Sequence, residues 1–107
     1  MSLDVYLKMI QPTIIYEANI PDNLGNMAEA AGIYQVLWRP EEIGITKASQ
    51  LIGPLADGIA RLKADPERFE KHDAPNEWGR YIHFVPFVQR YLDACIRNPD
   101  ADVEASR

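Results

Sequence analysis

The stretch 46–63, TKASQLIGPLADGIARLK, constrains the fold more than any other part of the chain. Ala48, Leu51, Ile52, Leu55, Ile59 and Leu62 recur at spacings of three and four, which places them on one face of an α-helix. Lys47, Gln50, Asp57, Arg61 and Lys63 fall largely on the other side. Such a helix needs a sheet or further helices to cover its apolar stripe. Thr46 suits an N-cap, and Arg61 and Lys63 suit a helix C-terminus. Pro54 cannot bond back to residue 50, so the pattern predicts a kink or a helix that begins at Pro54.

What precedes this helix alternates with period two. Residues 3–10 place Leu3, Val5, Leu7 and Met9 on one face and Asp4, Tyr6, Lys8 and Ile10 on the other, the pattern of a half-buried strand. Gln11-Pro12 breaks it, and 13–18 (TIIYEA) resumes it, which predicts an antiparallel hairpin. Residues 19–23 (NIPDN) read as a turn into a short helix over 23–31, with Gly32 as its left-handed stop. The segment 33–45 is ambiguous. Ile33, Val36 and Leu37 have helical spacing, and Pro40-Glu41-Glu42 suits a single helical turn.

After the long helix, Asp65-Pro66-Glu67 marks a second start that runs to about Lys71, and 72–76 is loop. The last helix is predicted over 77–97. Its main apolar face is Trp78, Tyr81, Ile82, Val85, Val88, Leu92, Cys95 and Ile96, with Phe84, Phe87 and Tyr91 as an offset stripe. Pro86 should bend it. Residues 102–106 are read as a third strand, with a frayed tail as the alternative. The fold class expected is α+β: one domain over residues 1–107, a small antiparallel sheet covered by two long helices and one or two short ones.

Composition narrows the function classes. A chain of 107 residues supports one core. The net charge of −5 argues against non-specific nucleic-acid or anionic-membrane binding, and bases and acids interleave from Asp57 to Arg80 without a basic stripe. No window approaches the roughly 20 apolar residues of a membrane helix, and the first ten residues lack the pattern of a secretory signal, so a cytoplasmic protein is expected. Cys95 is the only cysteine and lies on the apolar face of the last helix, as an inert core thiol would.

Catalytic signatures are weak. His72 and His83 have no metal-ligand spacing, no serine stands in a nucleophile-elbow context, and no glycine-rich phosphate loop is present. A base role for either histidine is the weakest expectation. Asn19, Asp22 and Asn23 offer oxygen ligands, but helix capping explains them with fewer assumptions. No cofactor and no metal are expected. The surplus aromatic surface is more suggestive. Trp38 with Arg39, and Asn76, Trp78 and Arg80, place tryptophan and arginine at element ends, and Phe84 and Phe87 lie off the main stripe. These residues form either a partner surface or a second buried layer.

The order MSLDVYL, YEANIPDNLGNMAEAAGIYQVLWRP, LIGPLADGIARLKADPERF, WGRY and FVQRYLDAC resembles a family of small uncharacterised proteins of bacteriophage and prophage genomes. The family pattern has an N-I-T-H-N-like turn, then M-A, G-I-Y, L-W-R-P and N-G-W-G. Here the turn reads Asn19-Ile20-Pro21-Asp22-Asn23, and Glu77 stands where the pattern has glycine. The resemblance implies a phage setting in a bacterial host cell. The expected function is non-catalytic protein–protein interaction, as modulator or inhibitor of a host defence protein, with a host or phage partner or a homodimer. The alternative is a small-molecule or nucleotide site built from Asn19, Asp22, Asn23, Trp38, Arg39, Asn76 and Trp78.

Overall fold

The structure, a computed structural model, describes residues 2–9, 14–72 and 80–107. Among these residues, three antiparallel strands, β1 (Ser2–Lys8), β2 (Ile14–Pro21) and β3 (Asp102–Ser106), form one sheet in the order β2-β1-β3. The central strand alternates as its sequence requires. Leu3, Val5 and Leu7 are buried, and Asp4, Tyr6 and Lys8 face outward. Their cross-strand partners continue each face: Ile20, Ala18 and Tyr16 inward on β2, Val103 and Ala105 inward on β3. The register slips between Leu7 and Lys8.

Among the described residues, five helices follow the hairpin: α1 (Gly25–Ala30), α2 (Tyr34–Trp38), α3 (Ser49–Ala64), α4 (Pro66–Glu70) and α5 (Tyr81–Arg97). Short 3-10 turns lie at Asp22–Leu24 and Pro40–Ile43. Gly32 ends α1 at φ 77°. Its N–H reaches the Glu29 carbonyl (3.0 Å) and the Ile33 N–H the Ala28 carbonyl (2.9 Å), so two orphan carbonyls of the helix end are satisfied. Asp65 caps α4 as its sequence predicts, accepting from the Arg68 N–H at 3.4 Å.

Several boundaries differ from expectation. The second strand does not stop at residue 18. It runs through Pro21, because β2 is an edge strand where a missing N–H is harmless. Residues 19–23 are therefore a strand end followed by a 3-10 turn, not one turn. Thr46 does not cap α3. The first N–H groups there reach carbonyls across the fold: Ala48 to Ala101 and Ser49 to Pro99, both 2.9 Å, while the Gln50 Oε1 accepts from the Thr46 and Lys47 amides. Both long helices run continuously through their prolines, Pro54 and Pro86.

The largest difference concerns α5. Its buried face is Phe84, Phe87, Val88, Tyr91, Leu92, Ala94 and Cys95. The expected main-face residues Ile82 and Ile96 are 60% and 54% exposed. Val88, Leu92 and Cys95 of the expected main face are buried beside the offset aromatic stripe, so the inward sector is centred between the two stripes, and three aromatic rings bury more apolar area than two isoleucines. The aromatic stripe is thus a second buried layer, and no open patch of Phe84 and Phe87 exists. Helix α5 packs on α3 and against β2, while α2 approaches β3. The Tyr81 hydroxyl donates to the Leu62 carbonyl (2.9 Å), joining the start of α5 to the end of α3.

A candidate partner-binding groove

The hydrogen bonds of β3 fix which backbone groups of β2 point away from the sheet. The Val103 N–H donates to the Thr46 carbonyl (2.9 Å), so it points away from β1. Along an antiparallel strand, residues that bond to the partner alternate with residues whose backbone groups face the other way. Asp102, Glu104 and Ser106 therefore face β1, opposite Lys8, Tyr6 and Asp4. The remaining residues of β1, Leu3, Val5 and Leu7, face β2, opposite Ile20, Ala18 and Tyr16. It follows that the N–H and C=O groups of Glu17 and Asn19 point outward from the sheet. Pro21 belongs to this outward set, where its lack of an N–H breaks no bond to β1. Among the described residues, no strand pairs with this edge.

A groove of about 610 Å³ lies beside that edge, between β2 and the first half of α5. Tyr16, Glu17, Ala18 and Asn19 line one side, and Ile82, His83, Pro86, Phe87 and Arg90 the other. Pro86 has no N–H to give to the Ile82 carbonyl, so that carbonyl lacks its helix partner on a stretch that lines the groove. His83 is held at the helix start, where its Nδ1 accepts from the Arg80 N–H at 3.3 Å. Burial pushes the Tyr16 hydroxyl above the usual tyrosine value, with Arg90 and Arg97 opposing the shift in part.

The residues singled out in the sequence separate. Asn19 and Phe87 line the groove, although Phe87 contributes little exposed surface, and Phe84 lies wholly in the core. Arg80 is the residue from which α5 starts. Trp38 is buried at 3% exposure. Its indole N–H donates to the Asp22 Oδ1 at 3.2 Å and its ring stacks on Tyr34, with centroids 5.2 Å apart. Asp22 thus holds the indole. Asn23 is exposed in the following 3-10 turn. Arg39 lies in a separate depression with Glu29, Gly32, Tyr34, Gln35, Val36 and Ile43, and pairs with Glu42 at 2.9 Å. Asn76 and Trp78 lie outside the described residues. The described part of the alternative ligand set does not converge, because Trp38 is turned into the core while Asn19 and Arg39 line different depressions.

Sequence reasoning missed Tyr16, Glu17, Ala18, Ile82, His83, Pro86 and Arg90 as a group. One signal was present: the alternation of Tyr16, Ala18 and Ile20 against Glu17 and Asn19 continues past residue 18. The turn-forming composition of 19–23 outweighed it. Burial pushes the Cys95 thiol up to about 12, consistent with an inert core residue. No cluster of three metal-ligating side chains occurs among the described residues, and no helix among them is long and apolar enough to cross a membrane. Compared with protein-family models, curated proteins and solved structures, the chain matches none of them.

Proposed function

We propose that this is a non-catalytic binding protein that takes an extended segment of a partner protein as an added strand on β2, seated in the groove against α5. The observation that carries this reading is the outward direction of the Glu17 and Asn19 backbone groups beside that groove. Strand addition uses main-chain hydrogen bonds for affinity and pockets for alternate side chains for specificity. Four main-chain bonds at a net of about 1 kcal/mol each give only a millimolar Kd. Useful affinity therefore needs side chains packed on Ile82, Pro86 and the rim of Phe87. A host or phage protein is the partner class that the sequence resemblance implies, with inhibition of a host defence protein as its sharpest form.

The test is selection of extended peptides on the full chain, followed by amide NMR of the complex. A bound peptide should shift the Glu17 and Asn19 amides and slow their exchange. Binders that leave those two amides unchanged would overturn the reading.

A further inference from the structure

The outward face of the sheet shows what kind of strand the edge accepts. This face carries Ser2, Asp4, Tyr6 and Lys8 on β1, Glu17 and Asn19 on β2, and Asp102, Glu104 and Ser106 on β3. Most of its polar groups are already paired. The Asn19 amide donates to the Ser2 Oγ (2.8 Å) and to the Asp4 Oδ1 (2.7 Å). Lys8 is held by Glu104 at 3.0 Å, and Lys47 by Asp102. Glu17 differs. Its cross-strand neighbour is Tyr6, and no ion pair among the described residues reaches its carboxylate.

We infer that the edge selects a strand with lysine or arginine opposite Glu17 and apolar residues on either side of that cation. The inference rests on strand addition at β2. A residue paired directly with Glu17 would place its side chain on the same outward face, with Cβ atoms about 5 Å apart. A cation there meets the unpaired carboxylate, while an acid there meets a like charge on a face that already bears Asp4, Asp102 and Glu104. The neighbouring residues of the added strand point to the opposite face, toward Ile82, Pro86 and Phe87, which accept apolar side chains. Arg90 stands on the helix side of the groove, so the cation is accommodated on the outward face only. Selection by one unpaired charge beside a largely apolar wall combines attraction for one partner with repulsion of others.

The test uses three peptides of the pattern Val-Xaa-Val flanked by threonines, with Xaa lysine, alanine or glutamate, titrated against the full chain and its Glu17→Lys and Glu17→Gln variants. The wild type should bind the lysine peptide about two- to fivefold more tightly than the alanine peptide, with the glutamate peptide weakest. Glu17→Lys should reverse the order, Glu17→Gln should flatten it, and added salt should narrow the differences. Equal affinities that Glu17→Lys leaves unchanged would overturn the charge selection and leave strand addition standing. Binding by none of the three would overturn both. A β2-mediated dimer seen by sedimentation without peptide, and broken by Glu17→Lys, would assign the edge to a second copy and also overturn the inference.

Discussion

The rings of Tyr16 and Tyr91 are stacked, with centroids 5.9 Å apart and planes 9° from parallel. The pair joins the edge strand to α5 and so sets the spacing of the groove that both elements line. Phe87 extends the contact, tilted 45° against Tyr91 at 6.2 Å. Aromatic neighbours in this range contribute beyond the area they bury.

Truncating Tyr91, which is fully buried, should cost about 3–5 kcal/mol, as for other large-to-small core changes. Tyr16→Ala, at a half-buried site, should cost less. The two changes should couple by about 0.5–1.5 kcal/mol in a double-mutant cycle followed by urea unfolding. Strict additivity would show that the stacking contributes nothing beyond burial.

Alkaline pH should destabilise the fold. Burial raises the pKa of Tyr16, Tyr91 and Cys95, so each keeps its proton to higher pH when folded than when unfolded. Their ordinary values are 9.0 for the thiol and 10.0 for the tyrosines. Below those values both states are protonated and the contribution is fully present. Above them the unfolded chain binds fewer protons than the native one, so stability falls as pH rises. The urea midpoint should drop from about pH 9 upward, and a midpoint flat to about pH 11 would contradict the burial of these groups.

Two glycines of α3 should respond in opposite directions to alanine. A Cβ at Gly58 would lie 2.6 Å from the Ile33 Cγ2, so Gly58→Ala should destabilise by about 1–3 kcal/mol despite its better helix propensity. Gly53 has nothing within 4 Å, and Gly53→Ala should stabilise by up to about 1 kcal/mol. Thermal unfolding of the two variants, of Ile33→Ala and of Gly58→Ala in the Ile33→Ala background checks this, because Ile33 is fully buried and its truncation has a cost of its own. A Gly58→Ala loss as large in the Ile33→Ala background as in the wild type would mean that the clash lies elsewhere.

Asp22 should behave as a structural acceptor. Asp22→Ala removes the partner of the Trp38 indole and should cost about 1 kcal/mol, whereas Asp22→Asn keeps an acceptor oxygen and should cost less. Calcium should leave the melting temperature of the wild type unchanged. A calcium-dependent rise abolished by Asp22→Asn would restore a ligand role.

Ile82 is more than half exposed and lines the groove, so Ile82→Ser should change stability by less than about 0.5 kcal/mol. The same change should weaken strand-adding peptides by tenfold or less, since one aliphatic side chain is worth about 1–1.5 kcal/mol in a half-open site. Peptide affinity unaffected by Ile82→Ser would place the bound segment away from α5.

Local chemistry in the sequence was enough for the α+β class, the alternation of β1, the stop at Gly32, the cap at Asp65 and the strand at Asp102–Ser106. Those features depend on neighbours within a few residues, where periodicity, glycine freedom and proline geometry decide. Tertiary structure decided the rest. The rotation of α5 buried the aromatic stripe together with Val88, Leu92 and Cys95 and left Ile82 and Ile96 outside, a choice that a helical wheel cannot make without the sheet opposite. The start of α3 depended on carbonyls at Pro99 and Ala101, far along the chain. Trp38 went inward because Asp22 and Tyr34 were there to receive it. The groove exists only because an edge strand and a helix distant in sequence were brought side by side, and spacing along one chain carries no record of such an encounter.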